Sequence, residues 1–281
     1  MSLTTQTINA IEDLGIKTYG TFIYPDTKII GRTPNLKSEW QVTDNIVNFK
    51  ANQRLLPNEW EYNQITITYD YNSFGHRTKL EVESLPNNYG LVVGCSFSEG
   101  LGLNENDIYH QQLDTPVYNL ALCGASNEQS LYNLQAFVKL LKHYPKFVIF
   151  QLTSIDRFFF FNKKLSSNLL DNFVMTVGSW NPTNDDEVGT LVELLYTTGM
   201  GRWKTLQIIE IVSTICKLMN SQLIVVDGFS EFVETQSTLS DIKIIDAMFH
   251  PDINKNDLAR DRIHPGRLTN LSLADKIKQV L

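Results

Sequence analysis

Four short apolar runs most constrain what this chain can become: Gly90 to Val93, Val117 to Leu122, Phe147 to Leu152 and Leu223 to Val226. Strands of this kind need cover on both faces, because no polar alternation marks a wet side. Helical patterns separate them. One covers Glu128 to His143, with Leu131, Leu134, Phe137, Val138 and Leu141 on one face, Ser126 or Asn127 as the cap and Pro145 closing it. A second covers Trp203 to Met219, and a third, Leu273 to Leu281, ends the chain. Strands alternating with helices predict right-handed crossovers and a parallel sheet between helical layers, a three-layer α/β/α architecture. Ligands of such sheets bind beyond the carboxyl ends of the strands. The loops after Val93, Leu122 and Leu152 therefore meet in space.

The first part of the chain reads differently. Asp26 to Val82 is polar and turn-rich, and alternation in Ile65 to Tyr69 and in Lys79 to Glu83 predicts two strands. Asn72-Ser73-Phe74-Gly75 between them reads as the turn of a hairpin. The expected organisation is a β-rich extension over residues 1–87 and an α/β domain over 88–281. A long connection from Asp156 to Gly201 carries Phe158 to Phe161, Trp180-Asn181-Pro182 and the acids Asp185, Asp186 and Glu187. It reads as aromatic packing over the sheet edge with one helix at Val188 to Tyr196, or else as a lid.

Composition narrows the function classes. A net charge of −7 without a block of Lys and Arg argues against nucleic acid as a partner. Cys95, Cys123 and Cys216 form no disulfide framework and no zinc spacing, which fits a reducing compartment. The N-terminus lacks a signal-peptide pattern, and no apolar run approaches the ~20 residues of a membrane span. The expectation is a cytoplasmic chain without a membrane span, with particle association or non-classical export as the alternative. Its oligomeric state is not legible.

GCSFSEG, residues 94 to 100, is the first candidate for chemistry. Ser96 lies just past a buried strand between Gly94 and Gly100, so the backbone can turn sharply and present the hydroxyl. A serine needs a base, a group to orient that base, and donors for the oxyanion. Arg260-Asp261-Arg262-Ile263-His264-Pro265-Gly266 supplies Asp261 three residues before His264, and Pro265 biases His264 toward extended backbone. Cys95 would be the stronger nucleophile as a thiolate, but strand alternation turns it away from the side that Ser96 faces. Ser98 and Glu99 read as the start of a helical turn, and Cys123 as a small buried residue.

Together these blocks resemble the SGNH (GDSL) hydrolase family. GCSFSEG is similar to its GDSxxxG block, with Cys95 where Asp is usual; NLALCGASNEQS, residues 119 to 130, is similar to its second block; DRIHPG resembles its last; and YNSFGHR, residues 71 to 77, is similar to a segment that often precedes the first. The resemblance implies an SGNH hydrolase-like, flavodoxin-like fold from about Tyr69 onward, and no cofactor or metal. It also implies a Ser96-His264-Asp261 triad and oxyanion donors in the N–H groups of Ser96 and Gly124. The third block departs from the family: where GxND supplies an Asn donor, this chain has Gln151-Leu152-Thr153-Ser154-Ile155-Asp156-Arg157. Ser154 or Thr153, and after them Asn127, are the candidate replacements. The expected activity is ester hydrolysis, with a short acyl group on a carbohydrate as the substrate class. The alternatives are an acyltransferase on the same triad and a glycan-binding or structural protein with a decayed site.

Overall fold

The computed structural model describes residues 21–23, 29–161, 173–178, 186–229, 232, 242–247 and 257–281. Its first part contains strands β1 (Thr21–Ile23), β2 (Ile30–Gly31) and β3 (Lys37–Ser38), helix α1 (Ile46–Leu55) and strand β4 (Tyr69–Asp70). There follow β5 (Gly90–Val93), α2 (Ser96–Glu99), β6 (Val117–Asn119), α3 (Asn127–Val138), β7 (Phe147–Leu152), β8 (Phe158–Phe161), β9 (Phe173–Val177), α4 (Asp186–Thr197), α5 (Met200–Met219), β10 (Gln222–Asp227), β11 (Lys243–Asp246) and α6 (Arg267–Lys278).

The central sheet has the order β11-β10-β7-β5-β6, and every neighbouring pair is parallel. Counted along the chain, this is the flavodoxin-like order 2-1-3-4-5, whose direction reverses between β5 and β7. Alternate side chains of each strand go to opposite faces. Leu91, Val93, Val148, Phe150 and Val225 pack with Leu134 and Phe137 of α3 and Ile208, Ile209, Val212 and Cys216 of α5. Val92, Ile149, Ile224 and Val226 pack with Leu273, Ala274 and Ile277 of α6. This two-sided burial is why the strands read as unbroken apolar runs. Truncating a fully buried core ring such as Phe137 to Ala costs about 3 to 5 kcal/mol.

Helix α3 keeps its predicted face, α5 keeps its face except at Ile211 and Leu218, which are exposed, and the helices shift their ends. Ser126 caps α3 by accepting the Gln129 N–H at 3.2 Å, and the helix stops at Val138, short of Pro145. Helix α6 begins well before the predicted Leu273 because its cap comes from outside: the Asp257 carboxylate accepts the N–H groups of Leu268 and Thr269 at 3.2 and 2.5 Å. The helix expected at Val188 to Tyr196 is α4. Strand β11 was not expected; it extends β10 in register, Ile224 opposite Lys243. Among the described residues no helix is long and apolar enough to cross a membrane.

The predicted hairpin does not form. The turn itself exists, with the Gly75 N–H donating to the Asn72 carbonyl at 3.0 Å and Gly75 at φ +67°. Tyr69 and Asp70, however, pair with Ser38 and Lys37, and Lys79 to Val82 has no strand partner among the described residues. Buried side chains prevent the hairpin. Asn72, His76 and Arg77 of the intervening loop are held by the α/β core, and the Asn72 amide donates to the Tyr118 hydroxyl at 2.9 Å. The long insertion contributes β8 and β9, which join β1 and β2 in an antiparallel sheet of order β2-β1-β9-β8. Phe159 meets Tyr132 of α3 at a ring-centroid distance of 6.2 Å. Trp180-Asn181-Pro182 and Asp185 lie outside the described residues.

Candidate active site

The reversal point of the sheet sits at the carboxyl ends of β5 and β7, and two of the predicted loops leave from there. After β5 the chain turns at Gly94, where a Cβ would lie 2.5 Å from the Gln151 Oε1 and 2.8 Å from its Cβ. Only glycine lets the Gln151 amide in this close. That amide then accepts the Cys95 N–H at 2.9 Å and the Ser98 hydroxyl at 3.2 Å, fixing the turn that carries Ser96. Ser96 opens α2, where the first N–H groups of a helix have no intrahelical acceptor. Gly100 ends this single turn in a left-handed conformation, φ +81°. Cys95 is fully buried in the cluster of Val92, Ile149 and Ile224, the face opposite to the one that alternation from Val93 would give it, because the strand ends at Val93 and the chain turns at Gly94.

Asp261 and His264 form the arrangement that their spacing predicts. The His264 Nδ1 lies 2.6 Å from Asp261 Oδ2, and Asp261 Oδ1 accepts the N–H groups of Ile263 and His264 at 3.1 Å each. Both residues are buried. Burial by itself would raise the Asp261 carboxyl, but the His264 ring, the Thr43 hydroxyl and the Ile263 amide outweigh it and hold the group at about 2. Asp261 is therefore ionised at neutral pH and can only accept. Nδ1 must carry the proton, which leaves Nε2 as the basic atom. The imidazole packs edge-on against Phe97, centroids 5.5 Å apart, so the ring lies beside the residue that follows Ser96. Ser96 Oγ and His264 Nε2 form no hydrogen bond among the described residues; such bonds commonly tighten only once a substrate is held.

Gly124 lies two residues beyond Leu122, whose N–H bonds the Gly94 carbonyl at 3.1 Å, so the second block runs alongside the first. Its φ is +77°, and a Cβ there would meet nothing within 4 Å; conformation rather than space demands glycine. The peptide before it is held by Glu99, which lies in the helical turn expected of it, as the last residue of α2. Glu99 is completely buried there. Its carboxylate accepts Arg32 Nε at 2.6 Å and Nη2 at 3.1 Å, the Tyr71 hydroxyl at 2.7 Å and the Cys123 N–H. Burial opposes its charge, yet Arg32 keeps the carboxyl below its ordinary range. Cys123 is only partly open to solvent rather than buried; surrounding protein and the Glu99 carboxylate push its thiol up to about 12. It is no competing thiolate.

Of the candidates for the missing donor, Asn127 is ruled out by its bonds. Both amide protons are used, one on the Thr153 carbonyl at 3.1 Å and one on Thr205 Oγ1 at 3.2 Å, while its oxygen accepts the Thr153 N–H at 2.9 Å. It locks the end of β7 to α3 and α5. Thr153 is buried and its hydroxyl has no partner among the described residues, leaving a donor unused at the strand end. Ser154, next in sequence, is partly exposed and has partners of its own. Phe229, after β10, stacks on Phe97 at 5.2 Å and lies under the Arg157 guanidinium at 5.3 Å.

The sequence reading missed the roles of Arg32, Thr43, Tyr71 and Gln151 and the burial of Glu99. Gln151 alone left a trace, as a polar residue inside the apolar run Phe147 to Leu152.

No protein-family model and no curated protein matches the chain. Among solved structures it is similar to TesA, at 16% identity over 69% of this chain and 97% of that one, with a TM-score of 0.43. It is also similar to a member of the lipolytic G-D-S-L family from Veillonella parvula, at 15% identity, 69% and 98% coverage and a TM-score of 0.40. The psychrotrophic esterase EstA from a Pseudoalteromonas species is similar at 14% identity, 69% and 98% coverage and a TM-score of 0.37.

Proposed function

We propose that the protein is a serine ester hydrolase of the SGNH type, with Ser96 as nucleophile, His264 as general base and Asp261 as its orienting acid. The observation that carries this reading is the bond between His264 Nδ1 and the ionised Asp261 carboxylate at 2.6 Å, beside Phe97 and at the reversal point of the sheet. In the proposed reaction, His264 Nε2 takes the Ser96 proton as Oγ attacks the ester carbonyl. Asp261 stabilises the imidazolium that forms. The N–H groups of Ser96 and Gly124 and the Thr153 hydroxyl serve the oxyanion, Thr153 after a rotation of its side chain. His264 returns the proton to the departing alcohol, then draws one from water as it attacks the acyl-serine, and gives that proton to Ser96 Oγ as the acid leaves.

A short acyl group on a sugar is the substrate class to test first. The test is intact-mass measurement after treatment with a fluorophosphonate, with hydrolysis of p-nitrophenyl acetate in parallel. Wild type gains one adduct, Ser96→Ala gains none, and turnover falls on the order of a million-fold. If Cys95→Ala loses the adduct while Ser96→Ala keeps it, the nucleophile is misassigned. Absence of both label and turnover in wild type refutes the hydrolase.

A further inference from the structure

Two adjacent residues of the N-terminal part grip two adjacent residues of the loop that carries the acid and base. Thr43 Oγ1 donates to Asp261 Oδ2 at 2.6 Å, and Asp44 accepts Arg260 Nε and Nη2 at 2.8 Å each. The Arg260 guanidinium also lies 4.2 Å from the centre of the Trp40 ring and donates to the Glu39 carbonyl at 2.6 Å. The grip is built rather than incidental. Tyr69 donates to Asp44 Oδ2 at 2.5 Å and in turn accepts the Gly102 N–H at 2.8 Å, tying the same turn to the loop after α2. The Thr43 carbonyl accepts the Asn48 amide at 2.7 Å, so helix α1 fixes the backbone behind the hydroxyl.

The turn is also strained. Gln41 N–H bonds the Asp44 carbonyl at 2.8 Å, which closes a tight turn whose second residue, Val42, has φ +37°. A β-branched residue resists that region, and such strain persists only where surrounding contacts over-determine it. Here the result is a hydroxyl aimed at the oxygen that also receives His264 Nδ1. Asp261 Oδ2 thus has two donors and Oδ1 has two, so the carboxylate cannot rotate without breaking bonds on both oxygens.

We infer that Thr43 is a positioning residue for the Asp261–His264 pair, supplied by the N-terminal part of the chain to hold the Asp261 carboxylate in line with His264 Nδ1. Its consequence for turnover rests on the esterase reading; its effect on the carboxylate does not.

The full-length chain is compared as wild type, Thr43→Val and Thr43→Ser. Valine keeps the shape and removes the hydroxyl, and serine does the reverse. Thermal melts check folding, kcat and KM are read on p-nitrophenyl acetate, and a carbon-13 titration follows the Asp261 carboxyl. Thr43→Val is expected to lower kcat about tenfold with KM within about twofold, and Thr43→Ser to stay within about twofold of wild type on both. The Asp261 midpoint should rise in the valine variant only. Serine falling as far as valine would mean that the methyl packing mattered, and an unmoved Asp261 midpoint in Thr43→Val overturns the inference. If wild type neither labels nor turns over, the esterase reading fails, and the titration alone still decides for or against Thr43.

Discussion

Replacing Glu99 by Gln tests the buried network that joins the turn carrying Ser96 to the Gly124 loop. The Arg32 and Glu99 side chains are 3% and 0% exposed, so neither has water to fall back on. Four donors converge on the carboxylate: Arg32 Nε and Nη2, the Tyr71 hydroxyl and the Cys123 N–H. An amide of the same shape has one acceptor oxygen and brings two donors of its own. Arg32 cannot shed its proton, so it stays charged and loses its counter-charge. Breaking a buried pair from one side costs about 3 to 5 kcal/mol. For a chain of this size that lowers Tm by on the order of 10 °C. Removing both charges, as Arg32→Met with Glu99→Gln, should recover much of the loss and give a coupling of about 2 kcal/mol or more in a double-mutant cycle. The assay is denaturant unfolding of the four chains, with kcat measured under conditions where each is folded. Turnover of Glu99→Gln should fall, because the Cys123 peptide is no longer held. A loss under about 1 kcal/mol, or strictly additive single changes, would refute the reasoning.

Three further outcomes are expected. Asp261→Asn should keep the fold and cut kcat about ten-thousand-fold, because an amide lets the wrong ring nitrogen carry the proton; steady-state kinetics against wild type decides it. Thr153→Val should lower kcat roughly 100- to 1000-fold at near-wild-type stability, the signature of a lost oxyanion donor, and an unchanged kcat would return that role to Ser154. Acid should weaken the fold in two stages. Burial lowers His76 and His110 to about 4, against the carbonyl bonds to Ile30 and Ser98 that favour the charged ring. The unfolded chain therefore takes up protons first, and the stability conferred by each neutral ring, complete above about pH 6.5, declines by about 3 kcal/mol as pH falls to 4. Asp261, held at about 2, keeps its contribution above its unfolded value near 3.8 and loses it as pH falls from there to 2. Urea midpoints from pH 7.5 to 2 read both stages, and a flat profile between pH 6.5 and 4.5 contradicts the first.

Much of this arrangement is local and was therefore legible. The runs at Gly90, Val117, Phe147 and Leu223 are strands in the structure because two-sided burial leaves a mark on every residue of a strand. Asp261 and His264 meet because three residues and one turn suffice. The burial of Glu99 was not legible because its partner Arg32 lies 67 positions away, and nothing near Glu99 distinguishes a buried acid in a helical turn from an exposed one. The hairpin was misread for a related reason: alternation in Ile65 to Tyr69 names no partner, and only Tyr69, with Asp70, is paired in a strand, to Ser38 and Lys37.

The sequence by itself determined the parallel sheet, the turn after its first strand and the pairing of Asp261 with His264, since periodicity and short spacing act within a few residues. Only the tertiary structure decided that Asn127 is locked away from the site, that Glu99 holds the peptide before Gly124, and that Thr43 reaches Asp261 across 218 residues. Those contacts depend on which surfaces meet once the chain has collapsed, and hydrogen-bond donors from distant segments leave no periodic trace in the order of the residues.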